Sequence, residues 1–175
     1  MDFVLILHNI MRWVVVVLAV YVLVRMYTGL FGKKEFAESD RKSLSWFAIS
    51  MDIQLLLGLV LYIVGSWWQN SVRFFAMEHI GVMIVAWVLA HLAVITAKRA
   101  TTSAGKFKRG TIYATLAVLA VLAAIPWPFL SYGRPWLPGF EPVAVWVDLE
   151  FYCTYRVLDQ HPRIMQGSGD VDPAD

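Results

Sequence analysis

The sequence predicts an all-α membrane protein, a four-transmembrane-helix up-down-up-down bundle followed by a C-terminal extramembrane tail. Three observations carry this. Four apolar segments, about 3–27, 44–68, 76–97 and 111–130, each approach the ~20 residues that cross a ~30 Å hydrocarbon core. Hydrophobic residues make up 59% of the 175-residue chain and charged residues 16%, a balance unlike that of a soluble domain. The basic residues inside the first 134 positions gather mainly in two of the three connections between segments.

The first segment opens on Asp2 instead of a basic stretch, carries Arg12 within its apolar run and lacks a small-x-small cleavage pattern. It therefore reads as a retained helix and not a signal peptide. A polar loop over 32–42 leads to the second segment, which closes on Gly65, Ser66, Trp67 and Trp68. The brief turn through Gln69, Asn70 and Ser71 makes segments two and three antiparallel neighbours. Segment four stops at Pro126-Trp127-Pro128, because two prolines in three residues cannot continue a helix. Gly58, Gly65 and Gly81, with Ala86 and Ala90, are candidates for close helix approach.

Charge orients the bundle. The first connection carries Arg25, Lys33, Lys34, Arg41 and Lys42, the third Lys98, Arg99, Lys106, Lys108 and Arg109, and the second only Arg73. The positive-inside rule places connections one and three in the cytoplasm and both termini outside, in the periplasm if the membrane is a bacterial inner membrane. Trp67, Trp68, Trp127 and Trp136 then fall at the outer boundary, as an aromatic belt.

Residues 135–175 form the acidic tail. They hold 2 Lys/Arg against 7 Asp/Glu, a charge of −5, whereas residues 1–134 hold 13 against 6, a charge of +7. Between Val143 and Val157 apolar and polar residues nearly alternate, with Val145, Val147, Leu149, Phe151, Cys153 and Tyr155 on one side. This reads either as an extended strand with an adhesive face for a partner subunit or as a Trp- and Tyr-rich interfacial helix. The Gly/Asp/Pro-rich end from 166 onward is expected to be disordered.

The chemistry-bearing residues are the polar ones inside the apolar segments, where ionisable groups are costly. At 1.5 Å per residue His8 lies ~7 Å and His79 ~5 Å below the outer face, at one level on two parallel helices. Such a pair can supply the axial ligands of a b-type haem, with Arg12 meeting a propionate. It can equally be structural, bonded to Glu78, to backbone carbonyls or to interfacial water. Deeper down, Arg12, Asp52, Gln54 and His91 form a second group. Arg12 and Asp52 differ by ~5 Å in depth and are expected to pair, Gln54 points elsewhere, and the whole reads as a polar clasp or as a proton or quinone site. Met77, Met83 and Trp87 read as packing.

Other chemistries are excluded. A single cysteine, Cys153, forms no intrachain disulfide and no Cys-based zinc or iron–sulfur site within one chain. No Gly-rich phosphate loop, no zinc-spaced His pair on one helix and no nucleophile beside a base is present, and the basic residues sit in short loops, which does not suit nucleic acid.

Four strings, LHNIMRW at 7–13, DIQLLLGLVLY at 52–62, RFFAMEHIGVM at 73–83 and AAIPWPF at 123–129 followed by YGRPW, resemble small four-helix bacterial membrane proteins described as cytochrome-b-like. The resemblance covers roughly residues 5–137. Better-known bis-histidine four-helix cytochromes bind two haems through four membrane histidines. This chain has three, and Asp52 is not a haem ligand type, so the resemblance implies at most one haem, on His8 and His79.

Two functions follow as expectations. One is a non-catalytic accessory subunit without a cofactor, in a respiratory or photosynthetic electron-transfer complex. There the tail residues Val145, Val147, Leu149, Phe151 and Tyr155 dock on partner subunits. The alternative is a small b-type cytochrome with one bis-His haem, carrying electrons between quinone and an outer-side acceptor. A transporter or channel fits least, since four short helices with one polar cluster offer little pathway.

Overall fold

The computed structural model describes residues 2–69 and 73–131. The chain divides into two units, Met1–Pro138 and Gly139–Asp175. The tail positions Val145, Val147, Leu149, Phe151 and Tyr155, like Trp136, lie outside the described residues.

Four helices build the first unit: α1 (Asp2–Phe31), α2 (Glu38–Val64), α3 (His79–Arg99) and α4 (Ser103–Ala124). A 3-10 turn, Trp67–Gln69, follows α2, and a single π turn, Phe74–Glu78, runs directly into α3. All four helices are long and apolar enough to cross a membrane, α3 together with its π turn. Among the described residues there is no strand.

The helix ends differ from the expected spans in one consistent way. At the basic end the helices run past their apolar stretches, α1 to Phe31, α2 from Glu38 and α4 from Ser103, leaving connections of only 32–37 and 100–102. Hydropathy marks where a helix leaves the hydrocarbon, whereas Arg, Lys, Glu and Ala at these margins are all good helix formers. At the other end α4 stops earlier than 130, at Ala124. Ile125 is already extended (φ −69°, ψ 127°), as a residue before proline prefers.

Helices pack in the cyclic order α1–α2–α3–α4, so α1 and α3 face each other across a diagonal. The largest fully buried apolar side chains are Phe47, Phe107, Met26, Leu44, Met51, Val15 and Val22, most of them in the basic half. Ala86, Ala90, Ala93 and Ala97 recur along one face of α3 and are fully or almost fully buried. This small-residue stripe lets the backbone of α4 approach closely, bringing Ala114 and Ala117 into the same core. Other bulky apolar residues are on the outside: Val17, Leu56, Ile63, Val64 and Leu119 are all more than half exposed. That inversion is what a lipid-facing surface requires.

Polar contacts tie the basic end together. Asp40, 5% exposed, accepts from Arg25 Nη2 through Oδ1 at 2.5 Å and from the Ala37 amide through Oδ2 at 2.9 Å. One carboxylate thus joins α1 to α2 and satisfies an amide at the start of α2. Asp40→Ala is expected to lower the unfolding free energy by about 1–3 kcal/mol, since it strands the Ala37 amide and leaves Arg25 with Ser39 Oγ alone. Arg41→Ala, which removes only an exposed pair with Glu38, should leave the thermal midpoint in place. Equal midpoints for the two variants in the same detergent would show that the Asp40 contacts carry no weight.

Candidate functional site

The two prolines that stop α4 also create a binding surface for side chains. In a helix the carbonyl of residue i accepts from the amide of i+4, so Leu122 and Ala124 would look to positions 126 and 128. Both are proline and have no N–H. Buried carbonyls need another donor. The Trp127 indole Nε1 donates to Leu122 O at 2.9 Å, and His79 Nδ1 donates to Ala124 O at 2.8 Å.

That second bond settles the state of the His79 ring. A carbonyl only accepts, so Nδ1 must carry the hydrogen, and in the neutral imidazole Nε2 is then the lone-pair nitrogen. A backbone carbonyl on the far nitrogen is also the usual way a ligating histidine is oriented. The π turn immediately before His79 contributes as well. Its extra residue per turn shifts the helix phase just where the imidazole is presented, and such turns recur at functional sites. Tyr62 Oη from α2 caps this turn, donating to Ala76 O at 2.9 Å. Phe74 and Phe75 pack around the imidazole, with centroids 5.8 and 6.4 Å away.

His8 meets it from α1. The two ring centroids are 6.3 Å apart with planes at 71°. Gly58 on α2 makes room for this ring: a Cβ there would lie 3.3 Å from His8 Cε1. Gln54, 5% exposed, donates from its amide nitrogen to His8 O at 3.1 Å and to His8 Nε2 at 3.2 Å. His8 Nδ1 and Gln54 Oε1 are buried with no hydrogen-bond partner among the described residues.

The expected placement of His8 and His79 at one level is therefore what the fold produces. Glu78, by contrast, lies 3.2 Å from Arg73 as an ion pair and does not bond to the imidazoles.

The deeper cluster of Arg12, Asp52, Gln54 and His91 does not exist as one group. Asp52 bonds to α3, accepting from Trp87 Nε1 at 2.6 Å and from His91 Nε2 at 2.8 Å. Arg12 lies elsewhere, stacked 5.3 Å over the Trp13 ring and lining a small recess with Ile125, Pro126, Trp127 and Pro128. Gln54 belongs with His8. The reason is angular. At 100° per residue Asp52 and Gln54 point about 200° apart, so α2 offers them to different neighbours. Arg12 and Asp52 are close in depth but do not share a facing direction.

Trp87 packs against the core as expected and is in addition a hydrogen-bond donor to Asp52. Its spacing of four from His91, which places both on one face of α3, was the available signal. The role of the Ala124 carbonyl was likewise readable, in principle, from the Pro-x-Pro spacing.

Among the described residues no three His, Cys, Asp or Glu side chains converge. A bare zinc ion needs three or four protein ligands. Two imidazoles alone suit a metal whose other positions come from a macrocycle. The 6.3 Å between the ring centroids leaves these two imidazoles as the residues that would hold such a group. The lone-pair Nε2 of His79 fits the same group; on His8 the lone pair is on Nε2, which accepts from Gln54, so ligation by His8 would take the place of that bond.

Fold and site together define a membrane four-helix bundle with an imidazole pair across its diagonal. Comparison with protein-family models, curated proteins and solved structures finds no match for this chain.

Proposed function

We propose that the protein is a small membrane b-type cytochrome holding one haem between His8 and His79. The observation that supports this most is the bond from His79 Nδ1 to Ala124 O, which leaves Nε2 as the ligating nitrogen opposite His8. When bound, haem would supply a one-electron redox centre near the aromatic end of the bundle. The chain's own residues have separate tasks. The Ala124 carbonyl holds the His79 tautomer, Gly58 seats the His8 ring, and Gln54 ties α1 to α2 at that level. Arg12, one turn from His8 on α1, is the cation suited to a haem carboxylate. Phe74 and Phe75 exclude water from the imidazole. In a bacterial inner membrane with the basic connections inside, this centre would serve an acceptor on the outer side.

The test is a dithionite-reduced minus air-oxidised visible spectrum of the full chain, purified gently in mild detergent. A sharp α-band at about one haem per chain is expected. Well-folded protein without any haem signal, even after reconstitution with hemin, would remove this reading. It would return the chain to the cofactor-free accessory role expected from its tail. That role has its own check: deleting residues 138–175 should leave the bundle inserted but weaken its retention with partner subunits. Unchanged co-purification of the truncated chain would argue against tail docking.

A further inference from the structure

The basic end of the bundle holds a recess of about 170 Å³ where α2, α3 and α4 come together, far larger than the ~10–15 Å³ that admits one water. Three cations line it, each from a different helix: Arg41 in the first turn of α2, Lys98 in the last turn of α3 and Lys106 in the first turn of α4. Glu38 is the one carboxylate among the lining residues, and it is committed to Arg41, whose Nε donates to its Oε2 at 2.7 Å. The surplus charge of the recess is therefore that of two lysines. Lys106 is half-buried and held in place, with its Nζ 5.7 Å from the centre of the Phe36 ring. That ring packs at 4.9 Å on buried Phe107, and Ser103 Oγ fixes the Phe36 amide at 3.1 Å. Lys98 is exposed and has no ion pair among the described residues. Two cations facing one recess without a counter-charge raise its potential and favour an anion there.

The walls change character with depth. Along α2, Leu44 lies six residues beyond Glu38, about 9 Å nearer the hydrocarbon. Along α3, Val94 lies four residues before Lys98, about 6 Å nearer it, and Ala97 presents only a methyl group between them. A soluble phosphate or an acidic peptide would match the lysines and leave this apolar floor wet. A molecule with an anionic head over acyl chains matches both, and the membrane supplies one at this depth.

We infer that this recess binds one anionic phospholipid from the leaflet at the basic end, its phosphate between Lys98 and Lys106 and the start of its acyl chains against Leu44 and Val94. Basic pockets between spanning helices are where such head groups are taken up. Glu38 occupies Nε and Nη2 of Arg41, so Nη1 is left for the same phosphate. The site lies at the opposite end of the bundle from the imidazole pair and does not depend on the haem reading.

The experiment is native mass spectrometry of the delipidated full chain in detergent, titrated with dioleoylphosphatidylglycerol and with dioleoylphosphatidylcholine. The two share their acyl chains, but the second has no net charge. One saturable phosphatidylglycerol per chain is expected, at least about tenfold tighter than phosphatidylcholine. Lys98→Gln with Lys106→Gln should lose at least about tenfold in that affinity. Lys33→Gln with Lys34→Gln removes the same charge from the connection after α1, outside the recess, and should lose under about threefold. The comparison of the two lipids on the unaltered chain stands even if the recess variant fails to fold. Absence of a saturable site, equal affinity for the two lipids, or equal losses in the two charge-matched variants overturns the proposal. So does sn-glycerol 3-phosphate binding as tightly as phosphatidylglycerol, because the apolar floor would then contribute nothing. Stoichiometric capture of a polypeptide by a photocrosslinker replacing Ala37 in native membranes overturns it as well, since a protein would then fill the recess.

Discussion

His79→Ala should abolish the haem spectrum while leaving the helical circular dichroism of the bundle in place. The expectation has two parts. Loss of Nε2 removes one of only two imidazoles that converge in the described bundle, and a single remaining ligand on His8 does not hold a b-type haem at purification dilution. Loss of Nδ1 strands the Ala124 carbonyl, which Pro128 cannot serve, at a cost of about 1–3 kcal/mol. The variant should thus be less stable but still folded. Adding free imidazole fills the vacated volume and is expected to restore the low-spin band in part, a recovery that a merely structural histidine would not permit. His8→Ala should behave alike, whereas His91→Ala should keep full haem, because His91 is bonded to Asp52 on another face. A full α-band in His79→Ala would place the ligands elsewhere.

The largest stability effect should come from Gly29→Leu, at the opposite end. A Cβ on Gly29 would lie 2.0–2.5 Å from three atoms of the Phe107 ring, far inside van der Waals contact. Phe107 has no room to retreat. It is 1% exposed and wedged against Phe36, with ring centroids 4.9 Å apart. Overpacking a filled site costs about 1–3 kcal/mol for a small insertion, and leucine adds far more than one methyl group. The thermal midpoint in detergent should fall sharply, already for Gly29→Ala. Combining Gly29→Ala with Phe107→Leu should recover part of the loss, since neighbours that share a contact are not additive. Gly81→Ala is the control: nothing lies within 4 Å of a Cβ there, so its unfolding free energy should stay within about 0.5 kcal/mol of the parent. If Gly29→Leu and Gly81→Ala prove equally stable, the α1–α4 contact is not as tight as the geometry demands.

These two glycines show how differently sequence and structure inform. Gly81 was a candidate for close helix approach on composition and meets nothing. Gly29 and Gly110 were not singled out, yet Gly29 carries the Phe107 ring and Gly110 lies against Met26 Sδ at 2.8 Å from its would-be Cβ. A glycine in a helix signals a close approach only when the opposite surface is known.

What the sequence determined by itself was everything that depends on one coordinate, the position along the membrane normal. Twenty-residue apolar runs dictate four spanning helices, because backbone polar groups in hydrocarbon must be satisfied internally. The rise per residue put His8 and His79 at one level and Asp52 near mid-span. Pro126 and Pro128 were readable as the end of α4. What the tertiary structure alone decided was the angular coordinate, meaning which side of each helix faces which neighbour. Rotation about the helix axis separates Asp52 from Arg12 and joins it to Trp87 and His91. It gives Gln54 to His8, and it aims His79 at a carbonyl that two prolines had left without a donor. Depth accumulates from local geometry, residue by residue. Azimuth is set only when four helices settle their mutual packing, through contacts between residues as distant in the chain as His79 and Ala124.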